Sequence, residues 1–586
     1  MKIALAQQNY HIGNFESNTR KIIEGIDWAK KQGADLVVFS ELCVCGYPPR
    51  DFLEFNDFIN KCYEAVDQIK AQADTIGVLI GGPSHNKQVE GKDLFNTVFF
   101  LHEKQIKAEV HKTLLPNYDV FDEYRYFEPA YEWNVVEFKG KKLAVTICED
   151  IWNMGDNPLY RTTPMEKLMP FQPDVMINLS ASPYNYAQDV VRNSIIKAHT
   201  IKYRMPMLYC NAVGSQTEIV FDGGSLVYDI NGEKVKEMKY FEEDYAVFDL
   251  KELTKVADRK KLQMVSETSK INSLQKEPGE IEPETYYYSA MEVGRNEDIL
   301  TYLTGDKNID EIYHCLILGI RDYFQKMGFS KAILGSSGGI DSAVTLALAV
   351  AALGKENVRA ILMPSPYSSS HSVSDAELLS KNLNNPYDIV PVKAIYESFL
   401  DTLKPIFRDQ PFNVAEENIQ SRTRGNLLMG IANKFNYILL NTSNKSELAT
   451  GYGTLYGDMA GGLSVLGDVY KMQVYALARF INKLSPVIPE NIITKAPSAE
   501  LRPNQKDSDS LPEYEILDRV LYEYIELRKG PKEIIAKGFD PALVARILKL
   551  VNTNEYKRNQ FCPIIRISAK AFGIGRRVPI VGKYLS

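Results

Sequence analysis

The chain has 586 residues, too many for one hydrophobic core, and this length predicts two or three domains. Hydrophobic residues at 45% and charged residues at 24% are typical of a soluble globular protein. The formal net charge of −7 argues against broad binding to nucleic acid. There is no apolar signal segment, the most apolar helix is too short to cross a bilayer, and the seven cysteines are scattered. We therefore expect a cytoplasmic protein without a membrane role.

The first 250 residues alternate short apolar strands with a few helices. Residues 2–8 alternate like a strand, a helix capped at Asn14 or Ser17 follows, and residues 35–39 form a second, buried strand. Further strands are predicted at residues 76–80, 97–101, 143–147, 175–179, 207–210 and 224–228. With a hairpin signal at Asn231-Gly232, this mixture predicts a layered α/β sandwich.

Three residues that can do chemistry stand just after predicted strands of this half: Glu41, Lys112 and Cys148. Each alone has a simpler explanation, as a surface charge or a small buried apolar residue. Together they supply a nucleophile, a carboxylate that can move its proton, and an ammonium that can stabilise an oxyanion with a backbone N–H. A nearby ammonium is also expected to lower the pKa of the Cys148 thiol. The set predicts an amidase that acts through a thioester.

The segments around these residues, FSELCVCGYPP, HKTLLPNYDVFDEYRYF and VTICEDIW, resemble the Glu-Lys-Cys catalytic set of the nitrilase superfamily in order and spacing. The resemblance implies an α-β-β-α sandwich in which Glu41, Lys112 and Cys148 are catalytic. It also implies a glutamine-binding set: Tyr118, Glu123, Glu149, Ser182 and Gln188. Gln188 stands where many relatives have a basic residue. The role of this position in substrate binding therefore differs from the family pattern.

From about residue 250 the apolar pattern weakens, and KEPGEIEPET has the composition of a linker. We place an N-terminal domain at residues 1–250, a linker at 251–299 and a C-terminal domain at 300–586. Beyond the linker, helices alternate with short strands. Helices are predicted at residues 308–327, 340–353 and 415–435, and another helix begins at residue 374. Strands are predicted at residues 332–334, 358–363, 387–392 and 437–441. This alternation predicts a doubly wound parallel sheet that binds ligands at the carboxyl ends of its strands.

The segment KAILGSSGGIDS joins a buried strand to a helix through a turn of glycines and serines. Glycines allow a close backbone approach, and the N–H groups of a helix N-terminus attract anions, so a phosphate is the natural occupant. An ordinary turn is the simple alternative, but the density of small residues before Asp341 favours an anion site. The lysine of a Walker A loop is absent. The turn resembles the SGGxDS loop of the ATP pyrophosphatases, which implies that the turn holds pyrophosphate and that Asp341 helps to bind Mg²⁺.

Later segments narrow the resemblance, among them EENIQSRTRGNLLMG, TSNKSELATGYGTLYGD and APSAELRPNQKDSDS. The whole chain resembles the glutamine-dependent NAD⁺ synthetases, in which a nitrilase-type glutaminase domain is fused to an NAD synthetase domain. The resemblance implies Mg²⁺ ligands Asp341 and Glu447, and we expect Lys471 to reach a phosphate. The implied ATP contacts are Gly335, Ser336, Ser337, Gly338, Gly339, Ile340, Asp341, Ser342 and Thr442. The implied deamido-NAD⁺ contacts are Asn418, Glu447, Tyr452 and Lys557.

The implied reaction uses glutamine, ATP and deamido-NAD⁺, and it links the two halves of the chain. ATP adenylates the nicotinate carboxylate, pyrophosphate leaves, and ammonia from glutamine displaces AMP. Because an adenylate is open to attack by water, we expect a closed passage for ammonia and a homo-oligomer. Two alternatives stay open: a glutamine-dependent ATP-pyrophosphatase ligase for another nucleotide carboxylate or carbonyl, and a nucleotide-binding regulator with a degenerate hydrolase domain. The complete catalytic set argues against the second.

Overall fold

A computed structural model of the protein describes residues 1–154, 159–256, 298–498, 500–502, 505, 507–509 and 511–585. The chain divides into two compact units, a first unit of Met1–Gln216 with Phe221–Val293 and a second unit of Thr217–Val220 with Gly294–Ser586. The predicted linker at residues 251–299 falls almost wholly outside the described residues, and the predicted domain boundaries stay predictions. No helix within the described ranges has the length and apolar character needed to cross a membrane.

Two six-stranded sheets make up the centre of the first unit. The strands are β1 Lys2–Gln7, β2 Leu36–Val38, β3 Gly77–His85, β4 Leu94–His102, β5 Gln105–His111, β6 Val136–Phe138, β7 Lys141–Ile147, β8 Val175–Ser180, β9 Met207–Asn211, β10 Val213–Gln216, β11 Ile219–Asp222, β12 Leu226–Tyr228, β13 Lys234–Glu237 and β14 Asp244–Asp249. The strand orders are β14-β1-β2-β3-β4-β5 and β13-β12-β9-β8-β7-β6, and β10 and β11 lie outside both sheets. Strands β1, β2 and β3 are parallel, as are β7, β8 and β9.

The main core of this unit lies between the two sheets. Because side chains alternate between the faces of a strand, Ile3 and Leu36 of one sheet meet Val145 and Ile177 of the other. The helices are α1 Phe15–Lys31, α2 Asn56–Lys70, α3 Pro164–Leu168, α4 Gln188–Tyr203 and α5 Leu250–Leu253. Helices α1 and α2 contact the first sheet, and α3 and α4 contact the second. The predicted α-β-β-α sandwich is confirmed.

The second unit contains a five-stranded sheet in the order β17-β16-β15-β18-β19, and all of its pairs are parallel. The strands are β15 Ala332–Gly335, β16 Val358–Leu362, β17 Tyr387–Ile389, β18 Ile438–Asn441 and β19 Leu463–Ser464. The helices are α6 Ile299–Leu303, α7 Asp306–Met327, α8 Ile340–Leu353, α9 Ser370–Leu383, α10 Lys393–Phe407, α11 Val414–Phe435, α12 Lys445–Thr450, α13 Lys471–Leu484, α14 Glu490–Thr494, α15 Tyr514–Leu521, α16 Pro531–Ala536, α17 Pro541–Thr553 and α18 Glu555–Arg558.

The order of these strands sets the position of the ligand cleft. From β15 the chain goes first to β16 on one side and later to β18 on the other, so the order reverses at β15. On one face of the sheet, Ile333 and Ile361 pack against Leu428 of α11. Ligands of such sheets bind at the carboxyl end of the strand where the order reverses. Here that end is Gly335, the first residue of the predicted phosphate turn, and the predicted doubly wound parallel sheet is confirmed.

Candidate active sites

The three residues predicted to be catalytic in the first unit lie together. Lys112 directly follows β5, Cys148 directly follows β7, and Glu41 lies in the turn after β2. Lys112 Nζ is 2.7 Å from Glu41 Oε1 and 2.8 Å from Glu123 Oε1. The side chains of Glu41 and Lys112 are both fully buried. Cys148 is also buried, and both the Glu41 and Lys112 charges act on its thiol.

Two side chains that the sequence did not single out complete this ionic cluster. Asn96 Nδ2 donates to Glu41 Oε1 at 2.8 Å and to Glu123 Oε2 at 3.4 Å. The Tyr47 hydroxyl donates to Glu123 Oε1 at 2.7 Å. Burial alone would lower the pKa of the Lys112 ammonium, but Glu123 and Glu41 outweigh it and raise that pKa well above its usual value. Lys112 is therefore held as a cation between two carboxylates.

Cys148 opens a short 3₁₀ turn, Cys148–Ile151, directly after β7. Its φ is +41°, in the left-handed region that is unfavourable for a residue with a side chain. Burial and then the Glu41 charge raise the pKa of the thiol well above its usual value, and Lys112 opposes this rise only in part. The predicted lowering of this pKa is therefore wrong, because the site is desolvated and holds more carboxylate than ammonium. If Cys148 is the nucleophile, its thiol therefore needs a base to take its proton.

The residue after the nucleophile, Glu149, is hydrogen-bonded to two tyrosines. Its Oε1 accepts from the Tyr118 hydroxyl at 2.8 Å and from the Tyr160 hydroxyl at 3.1 Å. Burial raises the pKa of the Glu149 carboxyl to about 7. The structure thus brings Tyr118 and Glu149, both predicted to bind glutamine, next to Cys148. Tyr160 was not predicted, because a single tyrosine in a loop gives no signal in the sequence.

The other predicted glutamine contacts lie in the segment that leads into α4. The Ser182 backbone N–H donates to Asn211 Oδ1 at 2.9 Å, and Ser182 is buried. Gln188 is the first residue of α4, is half-buried, and its Oε1 accepts from Asn185 Nδ2 at 3.2 Å. Among the described residues, Gln188 forms no hydrogen bond with Glu41, Lys112 or Cys148.

A cavity of about 310 Å³ lies in the second unit at the carboxyl end of β15. Most residues predicted for the nucleotide site line it: Gly335, Ser336, Ser337, Gly339, Ile340, Asp341, Ser342, Thr442, Glu447 and Tyr452. Three predicted residues are not in its wall: Gly338, Asn418 and Lys557. Lining residues that the sequence did not single out include Arg424, Lys495 and Asp507.

The glycine and serine turn is fixed by its own hydrogen bonds and by a close backbone approach. Ser337 Oγ accepts from the Gly339 N–H at 3.1 Å, and Ser342 Oγ donates to the Gly339 carbonyl at 3.0 Å. Gly338 has φ +75°, and a Cβ placed there would lie 2.2 Å from the Ser372 carbonyl oxygen. A glycine is therefore required at 338. The buried Ser336 hydroxyl has no hydrogen-bond partner among the described residues.

The two predicted Mg²⁺ ligands share one ammonium at the cavity wall. Lys471 Nζ is 2.5 Å from Asp341 Oδ2 and 3.6 Å from Glu447 Oε1. Asn444 Nδ2 donates to Asp341 Oδ1 at 2.9 Å. Burial and then the Asp341 charge raise the pKa of the Glu447 carboxyl to about 8. Lys471, expected to reach a phosphate, contacts both carboxylates here.

Asn418 and Lys557 contact the loop that follows α12 instead of the cavity. Asn418 Oδ1 accepts from the Thr454 hydroxyl at 2.8 Å. Lys557 Nζ donates to the carbonyls of Gly451 and Gly453 at 2.7 and 2.8 Å. Both side chains therefore hold the segment that contains Tyr452.

Known proteins resemble both units and the whole chain. Residues 2–258 match the carbon-nitrogen hydrolase family model, and residues 312–561 match the NAD synthase family model. The chain is 41% identical to the glutamine-dependent NAD(+) synthetase of Synechocystis sp., over 99% of this chain and 98% of the relative. It is 40% identical to the enzyme of that name from Thermotoga maritima, over 100% of this chain and 99% of the relative.

A solved structure gives the same result. The glutamine-dependent NAD⁺ synthetase from Acinetobacter baumannii, in complex with adenosine diphosphate, has a TM-score of 0.72 and 37% identity, and the match covers 99% of this chain and 98% of that one. These comparisons do not favour a ligase for a different nucleotide. The chain therefore belongs to the family of glutamine-dependent NAD⁺ synthetases, ligases that combine a carbon-nitrogen hydrolase domain with an NAD synthase domain.

Proposed function

We propose that the first unit releases ammonia from glutamine through a thioester on Cys148, with Glu41 as general base and Lys112 as oxyanion donor. The observation that carries this proposal is the buried Lys112, which lies 2.7 Å from Glu41 Oε1 in the environment of the Cys148 thiol. Because the pKa of that thiol is raised, attack on the amide needs a base that takes the proton at the same time. Glu41 is fixed for this task, since its Oε2 accepts from the Ala181 N–H at 3.0 Å.

Cys148 Sγ attacks the side-chain amide carbon of glutamine, Glu41 takes the thiol proton, and Lys112 with the Glu149 N–H stabilises the oxyanion. Glu41 passes the proton to the amide nitrogen, ammonia leaves, and a glutamyl thioester remains. Glu41 then takes a proton from water, the hydroxide attacks the thioester, glutamate is released, and the thiol regains its proton.

Two residues fix the charged groups and four others form the glutamine subsite in this proposal. Glu123 accepts a second hydrogen bond from the Lys112 ammonium, and Asn96 donates to both carboxylates. Glutamine binds through Tyr118, Glu149, Ser182 and Gln188, of which Glu149 directly follows Cys148 and accepts a hydrogen bond from Tyr118. Gln188 has no charge, so it contributes hydrogen bonds rather than an ion pair to the substrate carboxylate.

In the second unit, the turn of residues 335–342 and Thr442 bind ATP. The N-terminus of α8 directs its N–H groups at the cavity, and the partnerless buried Ser336 hydroxyl is a further donor for a phosphate oxygen. Glycine at 338 lets the backbone of the turn approach Ser372 and keep its shape.

Asp341 and Glu447 fit Mg²⁺, because they are hard oxygen donors that share a single ammonium at the cavity wall. Within the described ranges, no group of three or more His, Cys, Asp or Glu side chains could hold a metal ion, so phosphate oxygens and water would complete the coordination. The ion supplies charge neutralisation for the leaving pyrophosphate. Asn444 orients the Asp341 carboxylate through its amide.

Deamido-NAD⁺ binds next to ATP, with Asn418, Glu447, Tyr452 and Lys557 as its contacts. Support comes from the position of Tyr452 and Glu447 in the cavity wall. It also comes from the hydrogen bonds by which Asn418 and Lys557 hold the loop of residues 451–454. The nicotinate carboxylate attacks the α-phosphorus of ATP, pyrophosphate leaves, and ammonia then displaces AMP to give NAD⁺.

The adenylate step is tested with deamido-NAD⁺ labelled with oxygen-18 in its carboxylate. Because one carboxylate oxygen stays on phosphorus, we expect labelled AMP and unlabelled pyrophosphate by mass spectrometry. ADP and phosphate as products, or AMP without the label, would rule out the adenylate.

We further propose that ammonia reaches the second site without release to solvent and that the protein is a cytoplasmic homo-oligomer. Exposed apolar side chains near α10, such as Ile406, Phe412 and Val414, are consistent with burial against another subunit. Light scattering on the purified protein tests the oligomer, and a mass of one chain would refute it.

A further inference from the structure

The turn that contains Cys148 is held at both ends by buried side chains that the reaction above does not use. Before the nucleophile, Asp150 Oδ2 accepts from the Ile147 N–H at 3.0 Å. After it, His199 Nε2 lies 2.7 Å from the Ile151 carbonyl oxygen. Since a carbonyl only accepts, Nε2 holds the proton and the ring is the Nε2–H tautomer. Burial lowers the pKa of His199 to about 4, so this ring is neutral at neutral pH.

The second oxygen of Asp150 reaches the other catalytic strand end. Asp150 Oδ1 accepts from the backbone N–H groups of Thr113 at 3.0 Å and Leu114 at 2.8 Å. These are the two residues directly after Lys112. One buried carboxylate therefore joins the residue before Cys148 to the residues after Lys112. A carboxylate suits this place because both of its oxygens accept, whereas an asparagine would direct an NH₂ group at one of the N–H donors.

The backbone conformation of Cys148 explains why this turn needs hydrogen bonds with Asp150 and His199. Cys148 has φ +41°, and a conformation of this kind costs on the order of 1–3 kcal/mol unless its surroundings impose it. The thiol must also stay in register with Lys112, because a displacement of about 1 Å can slow an oriented reaction about 100-fold. Asp150 at 2% exposure and His199 at 0% are shielded from water, so water does not compete for the hydrogen bonds that they make to this turn.

We propose that Asp150 and His199 are positioning residues that hold the Cys148 turn in its left-handed conformation and in register with Lys112. This inference rests on the proposed glutaminase reaction. Neither side chain touches glutamine or a reacting atom in it. Their loss should therefore slow the chemical step without weakening substrate binding.

The test compares Asp150→Asn and His199→Phe with the matched control Asp174→Asn. Asp174 Oδ2 also accepts a backbone N–H, that of Lys142 at 2.8 Å, but it does so at the end of β7 remote from Cys148. In purified full-length variants, Asp150→Asn should lower the glutaminase kcat about 100-fold and change KM by less than about threefold. His199→Phe should act in the same direction, and Asp174→Asn should leave both constants near those of the parent.

Thermal unfolding and ammonium-supported NAD⁺ formation show whether each variant is folded. A folded Asp150→Asn enzyme with the parent kcat would overturn the proposal, and so would a rise in KM at unchanged kcat. If neither Asp150→Asn nor His199→Phe folds, the two side chains serve folding rather than positioning, and the proposal is again overturned. Cys148→Ala is assayed in parallel: if it still hydrolyses glutamine, the proposed reaction itself fails, a result distinct from an unaffected Asp150→Asn.

Discussion

Lys112 controls the charge balance of the glutaminase site. It lies between Glu41 and Glu123, and all three side chains are nearly or fully buried. An unpaired buried charge is costly, so each carboxylate depends on this ammonium. The raised pKa of the Cys148 thiol follows from the same desolvation, and in the proposed reaction it gives Glu41 the task of taking the thiol proton.

The Glu149 carboxyl gives a prediction for stability against pH. Its pKa is raised by burial from 4.5 to about 7 in the folded protein, so the folded state keeps a proton that the unfolded state loses between these values. Stability from this group is complete below about pH 4.5 and falls as pH rises to about 7, by on the order of 3 kcal/mol. Glu149→Gln should therefore flatten the decline of the unfolding temperature between about pH 4.5 and 7.

The control for this prediction is Glu166→Gln, a substitution of an exposed glutamate that pairs with Lys202. It should keep the pH profile of the parent. Parallel profiles for Glu149→Gln and the parent would contradict the assignment of the decline to Glu149.

At the site, residue type and spacing predicted the charged residues but not the groups that orient them. Glu41 and Cys148 follow the strands predicted at residues 35–39 and 143–147, whereas Lys112 follows β5, which was not predicted, and was singled out by the segment around it. Asn96 could not, because an amide inside β4 has no local signal and gains its role only through its contact with Glu41. The direction of the Cys148 pKa was missed for a similar reason, since the depth of burial is a tertiary property.

At the scale of elements, we propose that the turn between β15 and α8 binds the nucleotide. Gly338→Ala should abolish ammonium-supported NAD⁺ formation or raise the KM for ATP at least about tenfold, because a Cβ would lie 2.2 Å from the Ser372 carbonyl and displace the turn. Gly328→Ala is the control: Gly328 has the same φ of +75°, but a Cβ there meets no atom within 4 Å.

The two variants share the backbone strain and differ only in the clash. We expect Gly328→Ala to lose on the order of 1 kcal/mol of stability and to keep its KM for ATP. Equal effects of both substitutions on that KM would contradict a role for the close approach at Gly338.

The limits of sequence-based prediction also show in particular elements. Helix α8 has its predicted bounds because glycines flank it at 339 and 354. The strand predicted at 387–392 ends at Ile389, since Pro391 lacks an N–H for pairing. Helix α9 begins at Ser370 rather than at 374, because Ser369 caps it through the Ser372 N–H. Strand β5 was missed, since its residues alternate only between exposed and half-buried positions.

At the scale of the whole molecule, we propose that ammonia release and ammonia use belong to different units of one chain. Family membership covers both units, and each has its own cluster of buried charges. A change confined to the first site should therefore leave the second able to use ammonia from solution.

The most direct test of this division measures NAD⁺ formation from deamido-NAD⁺, ATP and Mg²⁺ in the parent and in Cys148→Ala, with either glutamine or ammonium chloride. We predict that the variant loses glutamine-supported synthesis and keeps ammonium-supported synthesis within about twofold of the parent. Glutamine-supported synthesis that survives in Cys148→Ala would contradict the account.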